Sequence, residues 1–282
     1  MRFHHINGWI KPLLVSGLIV FTSVGSSVAE PVVQDPLRPS ISIIIDDIGY
    51  RLKAGTRAIE LPGAIAYAFL PHTPHAITLA KLAHSHNKEI MLHAPMQAAD
   101  AEKNRLLGPG ALTMEMSEQQ IINTLQADLA SIPHVTGINN HMGSLLTRHP
   151  GHMLWVMREL SRRGDLFFVD SLTSNQSIAR QVANEFSVPA LQRDIFLDHL
   201  ADETHINRQF DKLIALAKRR GSAVAIAHPY DETLNVLTTR LLELESLEIN
   251  LIPVSVMIQQ RKNPQWQASL SHSPKAVKSL KP

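Results

Sequence analysis

The sequence predicts an α/β fold, a parallel (β/α) barrel of seven or eight units, and two observations support this prediction. Short apolar runs alternate along the chain with amphipathic segments of helical period. Several of the apolar runs end directly in polar side chains, as in the stretch ISIIIDDIGY over residues 41–50. Strands that alternate with helices form parallel βα units, and this number of units fits a barrel better than an open sheet.

The predicted elements follow from these patterns. The strands are Ile41–Asp46, Ala64–Phe69, Glu89–Ala94, Val135–Asn139, Leu166–Asp170, Ile195–Leu197, Ala223–Ala227 and Leu251–Val256. The helices are Ala54–Ile59, His75–His86, Ser117–Ser131, Gly151–Arg163, Gln176–Glu185, His205–Arg220 and Asp231–Glu245. Ser117 followed by Gln120 predicts a capping box at the start of the third helix. Basic residues and then Gly221 predict the end of the sixth helix.

These elements lie in one domain, predicted over residues 41–260. Residues 1–29 have a basic start, an apolar run and small residues before a cleavage point between Ala29 and Glu30, which is typical of a secretory signal peptide. We therefore expect a periplasmic or secreted protein with no stable membrane span after cleavage. An uncleaved membrane anchor is the alternative. Residues 30–40 predict a Pro-rich linker, and residues 261–282 predict a basic, disordered tail.

The amino-acid composition limits the partners, the kinds of catalysis and the metal ligands that the protein can have. The chain has 282 residues with 27 Lys and Arg, 25 Asp and Glu, and no Cys. Without the predicted signal, which carries Arg2 and Lys11 and no acid, basic and acidic residues balance. The surplus of basic residues lies at the chain ends, so we expect no nucleic-acid partner. The lack of Cys excludes thiolate catalysis and disulfides, so any metal site must use His, Asp and Glu.

Five predicted strands end in residues that can bind a metal or transfer a proton. Functional residues of βα barrels lie at the carboxyl ends of strands, so we expect these side chains to converge on one site. The strand-end residues are Asp46 and Asp47, His93, Asn139 to His141, Asp170, and His228 with Tyr230.

A set of this kind predicts metal-assisted hydrolysis. One carboxylate and two neutral imidazoles can hold a divalent ion and leave positions open for water and substrate. A second carboxylate can accept the proton of the attacking water, and a further histidine can protonate the leaving group. Each residue also has a structural interpretation. Asp46 or Asp47 would cap a helix, His93 would pack at a strand end, His141 would be held in its loop by an asparagine, and His228 would belong to a turn before Pro229.

Six stretches resemble the divergent polysaccharide deacetylases (family 2), a branch of the NodB-like carbohydrate esterases. They are IIIDDIGY, MLHAPMQ, GINNHMGSLLT, FFVDSLTS, RDIFLD and IAHPYDET, which span residues 41–233. The resemblance implies a distorted βα barrel of the NodB-like type. It also implies removal of N- or O-acetyl groups from carbohydrate by an Asp-His-His metal site, usually zinc, with a catalytic Asp and His.

The resemblance assigns roles by motif. Asp47, His93 and His141 are similar to the metal ligands, Asp46 to the general base and His228 to the general acid. Asp170 would orient a catalytic histidine or line the pocket, while Asn139, Asn140 and Tyr230 would contact substrate. The two asparagines have a structural interpretation as well, in which they only fix their loop. The reverse division of Asp46 and Asp47 stays open. We interpret Asp194 and Asp198 as members of a structural ion pair with Arg193.

These residues predict an exported metal-dependent hydrolase that removes acetyl groups from an envelope or extracellular glycan, with Zn²⁺ as the expected metal. The alternative is a non-catalytic envelope protein that keeps the barrel to bind glycan or a partner. It is favoured by one departure from the better-studied deacetylases, which carry two metal histidines four residues apart, whereas His93 and His141 belong to separate strands. A hydrolase of another bond on the same scaffold is a third possibility.

Overall fold

A single curled sheet of parallel strands organises the domain. The computed structural model describes Met1 and residues 38–263; the predicted signal peptide, most of the linker and the tail from residue 264 onward lie outside the described residues. Nine strands are found in this described part of the chain: β1 (Ser40–Ile48), β2 (Ala66–Phe69), β3 (Glu89–Met96), β4 (Gly137–Met142), β5 (Phe167–Asp170), β6 (Ala190–Gln192), β7 (Ile195–Phe196), β8 (Ser222–Ala227) and β9 (Asn250–Leu251).

The strand order is β6-β5-β4-β3-β2-β1-β8-β7, with β9 beside β1, and all of these strand pairs are parallel. The predicted α/β barrel is therefore confirmed. The two ends of this order, β6 and β7, form no ladder with each other in the described residues, so the barrel is distorted. They are joined directly by Arg193 and Asp194, whose N–H groups donate to Asp170 O on one edge and Val224 O on the other, at 3.0 and 2.8 Å.

Helices pack against the sheet, most of them on its outer face. Their bounds are α1 (Leu52–Ile59), α2 (Ala76–Ser85), α3 (Ala101–Asn104), α4 (Glu118–Ser131), α5 (Pro150–Arg163), α6 (Ala179–Glu185), α7 (Glu203–Arg220), α8 (Asp231–Arg240) and α9 (Val254–Lys262). The capping box of Ser117 and Gln120 is confirmed, and so is the left-handed Gly221 at the end of α7. Over residues 38–263, no helix combines the length and apolar character needed to cross a bilayer.

The two faces of β1 contact different parts of the core. Ile41, Ile43 and Ile45 belong to the large cluster that includes the outer helices. Ile44 belongs to a second cluster with inward residues of neighbouring strands and with Met257 of α9. Because side chains alternate along a strand, Asp46 follows Ile44 on the inner face. Helix α9 thus packs against the inner face that also carries Asp46 farther along the strand.

The predicted strand over Leu251–Val256 is wrong beyond Leu251, because α9 begins at Val254. The carboxylate of Glu89, at the start of β3, accepts hydrogen bonds from the N–H groups of Val254 and Ser255 at 2.7 and 3.1 Å. This cap comes from a residue distant in sequence, so the local apolar pattern does not reveal it. The helix continues to Lys262, two residues past the predicted end of the domain.

Candidate metal centre and active site

A bulge at the carboxyl end of β1 turns two adjacent carboxylates toward one site. Ile45 pairs with Tyr67 and Ile48 with Phe69, so three steps along β1 match two along β2. Asp47 lies in this interval with a φ of 58°, a left-handed conformation that aspartate tolerates better than most residues. The irregularity lets Asp46 remain on the inner face, buried, while Asp47 faces the opening of the barrel with partial exposure.

Asp47 meets one histidine from β3 and one from β4. Its Oδ1 lies 3.2 Å from His93 Nε2 and 2.9 Å from His141 Nδ1. The two ring nitrogens are 3.2 Å apart. Residues His93 and His141 are brought together because β3 and β4 are neighbours, with Pro95 opposite His141 in the register.

This cluster fits a divalent ion. The ligand atoms of Asp47, His93 and His141 all lie within 4.8 Å of one another. Asp47 Oδ1 is buried and makes no hydrogen bond of acceptable geometry, in spite of its short distance to His141. An orphaned carboxylate oxygen facing two imidazole nitrogens is compensated by a cation, and one carboxylate with two histidines is a donor set that suits Zn²⁺.

The neighbouring carboxyl groups have opposite shifts in pKa. Burial raises the pKa of Asp46 above its ordinary value, although His93 and His228 oppose this. Burial also acts to raise the pKa of Asp47, but the close approach of the His141 and His93 rings outweighs it and holds that pKa far below its usual range. The site therefore contains one carboxylate that stays ionised and one carboxyl with an increased affinity for a proton, a division that suits a ligand and a base.

His228 faces the cluster from β8 and is held by Asp198. Its Nδ1 lies 3.0 Å from Asp198 Oδ1, and its Nε2 lies 3.7 Å from Asp47 Oδ2. The other oxygen of Asp198 accepts hydrogen bonds from the His228 N–H and the Thr233 hydroxyl, at 2.6 and 2.8 Å. Burial alone would lower the pKa of His228, but the buried Asp198 carboxylate raises it to about 9. His228 is thus an oriented imidazole that carries a proton near neutral pH.

The predictions for two aspartates differ in outcome. Asp198 binds His228 and Thr233, so its predicted ion pair with Arg193 is wrong. Asp194 does belong to an ion pair, but its partner is Arg261, at 3.0 Å. The sequence could have predicted that Asp198 lies at the site. It ends the stretch RDIFLD and follows a short apolar run, as the other strand-end residues do.

The prediction that Asp170 orients a catalytic histidine is also wrong. Asp170 is fully buried, and its two oxygens accept hydrogen bonds from Leu172 N and the Ser177 hydroxyl at 2.9 and 2.7 Å. These bonds fix the loop that follows β5. Arg193 extends over the same loop and donates to Ser171 O and Leu172 O at 2.7 and 2.9 Å.

The side chains of the two asparagines of β4 form hydrogen bonds with other residues of the protein. Asn139 is fully buried between His93 and Asp46, so the prediction that it contacts substrate is wrong. Asn140 donates to Met142 O at 2.7 Å and accepts from Ser171 N at 2.9 Å, so it fixes the loops after β4 and β5, the structural role considered from the sequence.

Two clefts flank the metal-binding residues and share His141 and Met142. One has a volume of about 350 Å³ and is lined by Asp47, Tyr50, Arg51, Leu70, Leu106, Pro229 and Tyr230 besides these two. The other, of about 390 Å³, includes Asp46, His93, Lys103, Arg193 and His228 in its lining. The Tyr230 ring stacks on the His228 ring at 5.4 Å. The predicted metal-binding and proton-transfer residues other than Asp170 thus meet where the two clefts join.

The fold of this domain is also found in a solved deacetylase structure. The fold matches that of a mutant of the peptidoglycan deacetylase PdaC from Bacillus subtilis with a TM-score of 0.50, over 80% of this chain and 94% of that one. The identity is 9%, so this likeness shows the fold alone.

The family model of the divergent polysaccharide deacetylases matches residues 43–258, and the chain belongs to this family. The protein YibQ of Escherichia coli K12, described as uncharacterized, is 35% identical over 79% of this chain and 69% of its own length. A Haemophilus influenzae protein is 36% identical over 72% and 71%. An uncharacterized protein from Agrobacterium tumefaciens C58 has a similar structure, with a TM-score of 0.75 and 25% identity over 78% and 89%.

Proposed function

We propose that the protein is an exported, metal-dependent hydrolase that removes acetyl groups from an envelope or extracellular carbohydrate. The observation that carries this proposal is the convergence of Asp47, His93 and His141 beside Asp46 and an Asp198-held His228. Membership of a family described as divergent polysaccharide deacetylases supports the reaction and the carbohydrate substrate. The signal-like N-terminus supports export, which makes an envelope glycan the nearest large substrate.

Asp47, His93 and His141 would hold the metal, and their donor types favour Zn²⁺. When bound, such an ion supplies Lewis-acid polarisation of the acetyl carbonyl and lowers the pKa of a water. Among the chain's own groups, Asp47 provides the anionic charge. His93 is a buried ligand with a fixed ring, whereas His141 is partly exposed and lines both clefts.

The proposed reaction uses Asp46 and His228 as a base and an acid. Water attacks the acetyl carbon while Asp46 accepts the water proton, and the raised pKa of Asp46 favours this transfer. The bond from the carbonyl carbon to the sugar nitrogen or oxygen then breaks. His228 donates its proton to the departing amine or alkoxide, so the products are acetate and a deacetylated sugar. Asp198 stabilises the positive charge of His228 before the transfer.

The two clefts suit a carbohydrate that passes the metal centre on both sides. Tyr230 and Tyr50, which are 36% and 51% exposed, can cover the apolar face of a sugar ring in one cleft. Polar groups, including Lys103, line the other cleft. We assign Tyr230 to substrate binding on this basis.

Asp46→Asn tests the proposal. The purified wild-type protein should hold one equivalent of Zn²⁺ and release acetate from acetylated chitooligosaccharides or peptidoglycan. The variant should bind Zn²⁺ normally but lose about 10²- to 10⁴-fold in kcat, because the amide cannot accept the proton. Glu60→Ala, an exposed change at the end of α1, is the control for preparation and handling. Unchanged acetate release by Asp46→Asn would contradict the assignment.

A non-catalytic glycan-binding protein is the second candidate. It is favoured by the origin of the two histidines in separate strands, in place of one paired motif. Substoichiometric zinc after native purification and after added Zn²⁺, together with glycan binding and no acetate release, would establish this alternative.

A further inference from the structure

We propose that Asn139 is a positioning residue whose single side-chain amide fixes both the ring state of the metal ligand His93 and the position of the base Asp46. The inference rests on the proposed function, because it assigns Asn139 a part in holding the metal and in the proton transfer. The sequence predicts that Asn139 contacts substrate, whereas the structure buries it between His93 and Asp46.

The amide lies between the two functional side chains. Asn139 Nδ2 donates to Asp46 Oδ1 at 2.8 Å, and Asn139 Oδ1 lies 2.8 Å from His93 Nδ1. All three residues are buried, with exposures of 0% for Asn139 and 2% for the other two. Because Asn139 has no exposed surface, its amide acts through its neighbours.

The orientation of the amide follows from the acceptor character of Asp46. An ionised carboxylate only accepts hydrogen bonds, so the NH₂ end of Asn139 must face it. The carbonyl end of the amide then faces His93 Nδ1, which must carry the proton of that hydrogen bond. In the neutral ring this leaves the lone pair on Nε2, the atom 3.2 Å from both Asp47 Oδ1 and His141 Nδ1.

The Asn139 side chain therefore has two roles: it orients the His93 ring and it positions the Asp46 carboxylate. Hydrogen bonds behind a ligating histidine fix its tautomer and ring orientation. A hydrogen bond to a base fixes the direction of its free oxygen, and Asp46 Oδ2 lies 3.6 Å from His93 Nε2. Asn139 is held in turn by its place in β4, opposite His93 in the β3–β4 register.

Two substitutions separate the tasks. Asn139→Asp keeps an oxygen for His93 Nδ1–H but removes the donor to Asp46 and places a second carboxylate against it. We expect the Kd for Zn²⁺ to stay within about threefold of wild type or to fall, while kcat for acetate release drops by about 10²-fold or more. Asn139→Leu removes these two hydrogen bonds, and the longer one from Asn139 Nδ2 to Ser171 Oγ at 3.4 Å, at similar volume. We expect its Kd for Zn²⁺ to rise about 10- to 100-fold, with kcat also lost.

The experiment measures Zn²⁺ affinity by competition with a chromophoric chelator, and separately measures kcat and KM. Thr147→Val is the control, because it removes a buried hydrogen bond to Gly143 O near the site without touching any of its residues. It should leave the Kd for Zn²⁺ unchanged even if the melting temperature falls. If Asn139→Leu does not fold, Asn139→Asp decides the question through the separation of zinc affinity from kcat.

The outcomes distinguish this inference from the proposed function. A wild type that binds Zn²⁺ and is active, with Asn139 variants that match it in kcat and zinc affinity, would overturn the inference and leave the deacetylase intact. Equal loss of zinc affinity in Asn139→Asp and Asn139→Leu would also overturn it, since it would indicate a merely structural asparagine. A wild type that takes up no Zn²⁺ would instead contradict the function on which the inference rests.

Discussion

The observed contacts of Asp198 differ from those that the sequence predicts. Its carboxylate is buried and accepts three hydrogen bonds, two from His228 and one from Thr233. A buried carboxylate beside an imidazole keeps the ring protonated and fixed in direction. In the proposed reaction the general acid would be the pair of His228 and Asp198, and removal of either member should reduce proton donation.

Asp198→Asn tests this pair. The neutral amide no longer stabilises the charged His228 ring, so we expect kcat for acetate release to fall by about 10²-fold or more. Zn²⁺ affinity should not change, because no ligand atom of the metal centre contacts Asp198. Thr233→Val removes one hydrogen bond to Asp198 and should have a much smaller effect on kcat. Similar kcat values for wild type and Asp198→Asn would show that His228 does not depend on Asp198.

Asp128 is a second buried carboxyl, away from the metal centre. Its side chain is 0% exposed, Oδ1 lies 2.9 Å from His72 Nε2, and Oδ2 has no hydrogen-bond partner. Burial raises the pKa of Asp128 to about 8. The folded protein thus favours the neutral acid over the carboxylate.

The stability of the protein should depend on this group. Because the folded state binds the Asp128 proton more tightly than the unfolded state, its contribution is complete below pH about 4 and is lost as pH rises to about 8, by at most ~1.4 kcal/mol per pH unit. Urea unfolding at pH 5, 6, 7 and 8 should show that the wild type loses stability relative to Asp128→Asn. His72→Gln should keep the slope, since burial causes the shift. Parallel curves for wild type and Asp128→Asn would contradict this.

At the scale of elements, the connection between β3 and α9 shows why local patterns mislead. The run Leu251–Val256 is apolar enough to be a strand, yet Glu89 caps a helix that starts within it. Glu89 is 165 positions away from Val254. Strands such as β1 could be predicted, since consecutive isoleucines identify a buried strand. Strand β6 has three residues and no comparable signal of its own.

Glu89→Ala tests the cap. We expect the free energy of unfolding to fall by about 1–2 kcal/mol, because two N–H groups at the start of α9 lose their acceptor. Glu89→Gln should lose less, since it keeps one acceptor oxygen. Chemical unfolding followed by circular dichroism provides the measurement, with the exposed Glu60→Ala as reference. Equal stability of Glu89→Ala and wild type would mean that α9 is held by its apolar contacts alone.

At the scale of the whole molecule, the barrel explains which parts of the site could be predicted. Parallel strands bring their carboxyl ends to one edge, so residues that follow apolar runs meet there whatever their separation in sequence. Asp47, His93, His141 and His228 could be found in this way. The roles of other strand-end residues could not be predicted in this way. Asn139 and Asp170 also follow apolar runs, yet both are buried and form hydrogen bonds with other residues of the protein.

In the described residues β6 and β7 do not pair with each other, and this affects how wide the barrel can open. The N–H groups of Arg193 and Asp194 bond to β5 and β8, the neighbours of β6 and β7. In the part of the chain that the structure describes, covalent chain thus joins the two ends of the strand order where no ladder does. Gln192 at the end of β6 and Ile195 at the start of β7 are three Cα–Cα steps apart, so the chain limits their separation to about 11 Å. On the proposed function, glycans of different size would be accommodated by the loops around the rim, because the chain limits how far the ends of β6 and β7 can separate.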